Sequence, residues 1–426
     1  MSIIKLDHIS KIEGHANLTI QIEEGKLKKV ELAVVEGARF FEGFIKGRSY
    51  KDVHLLVQRI CGICSVSHTI AALNAVENAL GVEVTNQTKD LRELMEIGAF
   101  IQSHSLHVYL LALPDYLGYI SALDMTKKYK NEVLRGLGLK KLGNDIDKLI
   151  GGRIMHPVAT CVGGFSSLPS QEELDELQKK LEKSRIDASK TADLFASLNY
   201  IKFKRPTEYI CLREDDKYAI TGGDLMFSNG FEVPKDKYLS HLKETVMPYS
   251  NAKFSTFEKR SFYVGALARV NNNIDFLSKN AQKCLAKNSI TFPSYNPYHN
   301  NYAQAIEIVH VIDRAIEILS NLKIQNEEPV DVKPKAARGV AIIEAPRGIL
   351  IHDYTLDAKG NVKKANVVTP TAQNLKNIED DIYKLLPKML DEKEEVLINE
   401  MEKLIRSYDP CISCSAHFLK VKWIKN

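Results

Sequence analysis

Four of the chain's seven cysteines fall into two Cys-x-x-Cys pairs. The first pair, Cys61 and Cys64, lies in RICGICSVSH, and the second, Cys411 and Cys414, lies in DPCISCSAH. Two cysteines three positions apart on a helical turn point their sulfurs the same way. At a helix N-terminus their thiolates are favoured by unpaired amides and by the helix dipole. Asp409 and Pro410 read as an N-cap and first-turn residue, which predicts such a start for the second pair. Each pair is followed closely by a histidine, His68 and His417. Four thiolates with imidazoles nearby make a soft, anionic metal site. Two other readings stand beside it. A four-cysteine structural zinc site usually spaces its pairs about 15–20 residues apart, whereas here most of the chain intervenes. A thioredoxin-like redox pair is the second alternative, and two such motifs in mainly helical surroundings fit it poorly. Ligand chemistry alone does not identify the metal. Cys161, Cys211 and Cys284 are solitary and read as small core residues.

If the two pairs share a site, the ends of the chain must fold together, which argues for a single domain over residues 1–426. Around the pairs, residues 16–36 alternate or run apolar about Glu24-Gly25, a hairpin pattern. Ile70, Leu73, Val76 and Leu80 recur at helical spacing behind the first pair. Residues 88–126 carry long apolar runs and read as buried helix. Ser170 and Glu173 form a capping-box signature ahead of Leu174, Leu177 and Leu181. Further helices are expected over 262–287, 300–322 and 374–405. From residue 338 two strands are expected around Lys359-Gly360-Asn361. Lys+Arg total 58 against Asp+Glu 54, too balanced to argue for nucleic acid. The opening MSIIKLDHISKIEGH has no apolar run after a basic stretch, so a signal peptide is not expected. No apolar run reaches the roughly 18 residues of a membrane-spanning helix. A cytoplasmic setting is the expectation.

RICGICSVSH and DPCISCSAH resemble the two signatures of the nickel–iron hydrogenase large subunit. KIEGHANL, FFEGFIKGR, GGRIMHP, EAPRGILIH and VTPTAQN recur in the family's order, so the resemblance spans nearly the whole chain. It is weakest between about residues 200 and 330. The cytosolic, multi-subunit members are the most similar. The resemblance implies an α+β fold, mainly α with small β elements: a helical core with N-terminal and C-terminal β-hairpins. It implies a nickel–iron centre with carbon monoxide and cyanide on iron. Cys61 and Cys411 would be terminal ligands of nickel, and Cys64 and Cys414 would bridge the metals. Glu42 and His417 would bind magnesium or a similar ion. Arg347 would overhang the open position, with Asp115 and Asp409 around it. Thr371 would hydrogen-bond a cyanide, Pro370 would give an apolar wall, and His68 would support a bridging sulfur. Dihydrogen would be split heterolytically, its proton passing to Cys411 and then to Glu13.

Taken alone, several of these residues read more plainly. Glu42 would be an exposed helix carboxylate, Glu13 a solvent-facing glutamate beside a turn glycine, and Asp115 a turn residue after Pro114. No further cysteine set exists to hold an iron–sulfur cluster in this chain. The resemblance therefore implies an iron–sulfur small subunit, with flavin- or nicotinamide-linked electron-transfer subunits beyond it. It also implies maturation proteins and an endopeptidase acting after His417. Residues 418–426 read either as a removable maturation peptide or as a retained tail. A metal-free relative, the quinone-module subunit of respiratory complex I, is the rival reading; all four cysteines argue against it.

Overall fold

The computed structural model describes residues 2–416, so His417 and the tail 418–426 lie outside the described residues. Four long helices, Asn86–Ser105, Lys130–Gly151, Gln171–Ala196 and Asn300–Asn321, pack on one another as the helical centre. Asn86–Ser105 and Lys130–Gly151 touch at backbone distance. A Cβ on Gly143 would sit 2.5 Å from the Gly98 carbonyl, so a larger residue would force the pair apart. The capping box that opens Gln171–Ala196 is formed by Ser170 and Glu173, worth about 1 kcal/mol to the helix.

Small sheets flank the helices. At the N-terminus Ser2–Leu6, Ala16–Glu23 and Lys26–Val34 form an antiparallel sheet, with the expected turn at Glu24-Gly25 in the left-handed region. Near the C-terminus the sheet has three strands rather than two: Ala337–Ala345, Gly348–Leu356 and Val362–Val368. Its first two strands are buried on both faces over most of their length, and Ala345 pairs with Gly348. That leaves Pro346-Arg347 as a two-residue turn within the stretch expected to form the first of two strands. The sheet packs on the helix Ser65–Leu80, which follows the first cysteine pair. The chain is α+β, with helices dominant and every sheet small.

Several expected helices are shorter than their patterns. The segment 262–287 is a strand, Phe262–Tyr263, then helices Ala266–Asn272 and Lys279–Lys287. Ser278 caps the second helix and so restarts it. The segment 374–405 divides into Pro370–Leu385 and Glu394–Ser407. Pro387 lies in the break, where its missing N–H and ring forbid a continuous helix. Past Ser105 the helix loosens into a π-helical stretch, Leu106–Ala112, before Leu113–Leu117. Residues 208–263 hold two small sheets that the sequence did not announce. Among the described residues no helix is long and apolar enough to cross a membrane.

Candidate metal centre

Both cysteine pairs stand at helix starts. Cys64 is the N-cap of Ser65–Leu80, and Cys61 precedes it in extended backbone. Cys411 is the N-cap of the short helix Ile412–Ser415. This corrects the expected cap: Asp409 sits two residues earlier at φ 51°, and its carboxylate faces inward instead of capping. The four sulfurs all lie within 4.8 Å of one another, and every one of these cysteines is buried. Cys61 Sγ is 3.2 Å from Cys411 Sγ, and Cys411 Sγ is 3.0 Å from Cys414 Sγ. Thiolates bound to one first-row metal at about 2.3 Å lie at most about 4.6 Å apart, close to the spread of this cluster, so small shifts would let the four sulfurs share a metal site. Hydrogen bonds from Cys411, Cys414 and Cys64 hold the Cys61 thiol well below its usual range. Burial pushes Cys411 and Cys414 up. A metal binds thiolates, so its entry must release the protons that these sulfurs carry.

The two motifs are drawn together by the N-terminal segment. Glu13 forms a parallel bridge with Cys411, and its carbonyl accepts the Ile412 N–H at 2.9 Å. Glu13 Oε2 accepts from the Ser413 N–H at 2.9 Å and from the Cys411 thiol at 3.2 Å. Gly14 makes this approach possible: at φ +81°, a Cβ there would lie 2.8 Å from Ile412 Cβ. Arg39 spans the pairs, donating from Nη2 to the carbonyls of Ile60 (2.6 Å) and Ser413 (2.7 Å).

Arg347 occupies the buried turn between Ala337–Ala345 and Gly348–Leu356. Its Nη1 donates to Cys64 Sγ at 3.4 Å, and its Nε donates to the carbonyl and the carboxylate of Asp409. Nη2 lies 2.9 Å from Asp409 Oδ1 as an ion pair but lacks hydrogen-bond geometry to it. A buried guanidinium edge is thereby left with donor capacity beside the sulfurs. Asp409 Oδ2 accepts from Gln304. Thr371 Oγ1 accepts the Cys411 N–H at 2.8 Å, and Pro370 is buried in the first turn of the same helix. His68 Nε2 lies 3.8 Å from Cys414 Sγ, and its Nδ1 lies 3.0 Å from His352 Nε2.

One expected residue, Asp115, is placed differently. Asp115 does not touch Arg347: its carboxylate is held by Lys11 and Arg406, because Leu113–Leu117 turns it toward the N-terminal segment. Glu42 Oε1 accepts from Lys253 Nζ and from the Val367 N–H, both at 3.0 Å, with Glu244 and Asn366 also on Lys253. Glu42, Glu244 and Asn366 thus turn their oxygens on one ammonium, Lys253. Cys161, Cys211 and Cys284 stand outside the cluster. Sequence reasoning missed Arg39, Gln304 and the buried Arg269, Glu307 and Glu344. The last three carried a signal, each being a charge inside an apolar run, which native chains bury only when paired.

A family model described as nickel-dependent hydrogenase matches residues 39–139 and 228–417. The alpha chain of sulfhydrogenase 1 from Pyrococcus furiosus is 38% identical, covering 98% of each chain. A chain of the vhu F420-non-reducing hydrogenase from Methanocaldococcus jannaschii is 32% identical over 90% of this chain and 98% of its own length. The beta chain of the NAD-reducing hydrogenase HoxS from Cupriavidus necator is 28% identical over 97% of this chain and 94% of its own length. Among solved structures, an NAD+-reducing [NiFe]-hydrogenase in the H2-reduced state superposes with a TM-score of 0.88 at 25% identity. That match covers 98% of this chain and all of the other.

Proposed function

The chain belongs to the nickel-dependent hydrogenase family and is the catalytic large subunit of a nickel–iron hydrogenase; on that premise we propose which of its residues do the work. Cys61, Cys64, Cys411 and Cys414 would hold the nickel–iron centre, Cys61 and Cys411 as ligands of nickel and Cys64 and Cys414 as ligands shared with iron. The observation that carries this reading is the buried four-sulfur cluster whose Cys411 thiol already donates to Glu13. Such a centre, with carbon monoxide and cyanide on iron, would supply the heterolytic splitting of dihydrogen and the uptake of its two electrons.

The chain's own groups then handle the proton and the surroundings. Cys411 Sγ receives the proton and hands it to Glu13 Oε2, which the Ser413 N–H keeps in place. Glu13 is partly exposed, so the carboxyl links the buried sulfur to the outside. Arg347 supplies a fixed positive charge and N–H donors, since an arginine does not deprotonate; Asp409 orients it. Thr371, whose oxygen accepts the Cys411 amide, keeps its own proton to donate to a cyanide, and Pro370 walls that side. His68 Nε2 lies 3.8 Å from the Cys414 sulfur and, in the tautomer protonated there, would donate to it and tune its electron density. Asp115 acts a step further out, by anchoring Lys11 and Arg406. Glu42, with His417, holds magnesium or a similar ion: the carboxylate has lone pairs beyond those facing Lys253.

The homologous alpha and beta chains belong to multi-subunit hydrogenases, and a small subunit partners this chain. Its iron–sulfur clusters carry the electrons on, because Cys161, Cys211 and Cys284 do not cluster here. Flavin- or nicotinamide-linked subunits then deliver them to a soluble acceptor: a nicotinamide, polysulfide, a deazaflavin or a bifurcating partner. Maturation proteins load the centre, and an endopeptidase is the enzyme that would trim residues 418–426. The complex works in the cytoplasm. Infrared spectroscopy of the purified complex, with nickel and iron analysis, tests the core of this reading. Iron-bound carbonyl and cyanide bands with one nickel per chain are expected; zinc alone, without those bands, would refute it.

A further inference from the structure

Arg347 stands on a two-residue turn, and a turn residue is only as fixed as the turn beneath it. The two carbonyls just before it both accept from one side chain. Arg269 donates from Nη1 to Ala345 O at 3.0 Å and from Nη2 to Pro346 O at 2.8 Å. Arg269 is fully buried, and its guanidinium is held in turn by two carboxylates. Nε and Nη2 grip Glu307 at 2.6 and 2.8 Å, and Nη1 reaches Glu344 at 2.8 Å. A guanidinium has five N–H donors, and these contacts use all of them.

The opposite end of Arg347 is held from the same place. Its partner Asp409 accepts from Gln304 at 2.9 Å. Gln304 and Glu307 lie three positions apart on the helix Asn300–Asn321, hence on one face. That single helix face therefore holds both the turn that carries Arg347 and the carboxylate that aims it. A buried charge placed only to balance Glu307 and Glu344 would not need two consecutive carbonyls of the Arg347 turn.

We propose that Arg269 is a positioning residue for the reaction: anchored by Glu307, it clamps the Ala345 and Pro346 carbonyls and so sets Arg347 at its station beside Cys64. The inference rests on the assignment of Arg347 above. Arg269→Lys is the perturbation, because an ammonium keeps the charge but has only three donors. If lysine leaves the carboxylates unbalanced and the protein unfolds, Arg269→Lys with Glu344→Gln keeps the test, since glutamine still accepts the Leu212 N–H now on Glu344.

In the purified complex, Arg269→Lys is expected to retain nickel and iron and to lose turnover roughly 10- to 100-fold, the scale of a misplacement of about 1 Å. In an Arg347→Lys background the same change should cost less than about twofold, because the residue it positions is gone. Melting temperature should fall by the same amount in both backgrounds. A crystal structure of Arg269→Lys should show the Arg347 guanidinium displaced from Cys64. Losses that multiply in the double variant, or an unmoved Arg347, would overturn the inference. Wild-type turnover in Arg347→Lys alone would instead remove Arg347 from the site, and this inference with it.

Discussion

Replacing Glu13 with glutamine isolates one job of one side chain. The carboxylate makes two contacts at the site through Oε2, from the Cys411 thiol at 3.2 Å and the Ser413 N–H at 2.9 Å. An amide oxygen can accept both, so the shape and the link to the second motif survive. The stability cost is that of exchanging a charged acceptor for a neutral one, about 1 kcal/mol. The amide cannot take up the proton that Cys411 delivers. A positioned acid–base group contributes roughly 10²- to 10⁴-fold, and oxidation and evolution of dihydrogen should fall by that factor. Isotope exchange with water should fall equally, because all three reactions need the proton to leave. Glu13→Asp shortens the reach by about 1.5 Å, one C–C bond, and should retain intermediate activity. The assay is deuterium exchange followed by mass spectrometry, alongside nickel and iron content. A glutamine variant that keeps both metals and exchanges at the wild-type rate would show that the proton leaves by another route.

Further outcomes are expected. Cys→Ser at any of Cys61, Cys64, Cys411 or Cys414 should abolish nickel binding or activity. Cys161→Ser, Cys211→Ser and Cys284→Ser should leave metal content and turnover intact, at a packing cost of about 1 kcal/mol; metal analysis separates the two groups. Arg347→Lys should keep both metals and lose turnover roughly 10²- to 10³-fold, the scale of removing an aimed donor; unchanged turnover would exclude the role. Glu96 is fully buried beside Ser67, and burial pushes its carboxyl up from 4.5 to about 8. Between those values the folded chain keeps a proton that the unfolded chain has released, so this group's contribution to stability falls as pH rises, by at most about 1.4 kcal/mol per unit. Glu96→Gln should flatten the loss of melting temperature between about pH 6 and 8, within that window; parallel curves for the two proteins would refute the assignment.

What the sequence made legible was chiefly local chemistry. The two cysteine pairs, the capping box at Ser170 and the Glu24-Gly25 turn carry their signals within a few residues. The Pro346-Arg347 turn did not, because Ala337–Ala345 and Gly348–Leu356 are buried on both faces over most of their length and lack the alternation that would show where one ends. Asp409 misled as a cap because aspartate before proline suits a helix start, whereas here Arg347 and Gln304 claim its carboxylate. Asp115 was drawn away from Arg347 by Lys11 and Arg406, both remote in sequence. Glu13 shows the limit most clearly. Nothing within KIEGH says that it will meet Cys411; Gly14 permits the contact, and only the folded chain brings Ile412 against it.

The tie between Glu13 and the second motif also sets an order of assembly. Cys61 and Cys411 lie 350 positions apart, so one half of the sulfur cluster is anchored on the Ser65–Leu80 helix long before ribosomal synthesis reaches the other. The last four-residue helix is fastened by Glu13, Arg39 and Thr371 through individual hydrogen bonds, each worth about 0.5–1.5 kcal/mol net. Burial of Ile412 and Ala416 in the main core adds to those bonds. A cation held by all four sulfurs would therefore act as a cross-link between the start of Ser65–Leu80 and Ile412–Ser415, closing a loop of most of the chain, so that removing it should loosen the join between these two helices first.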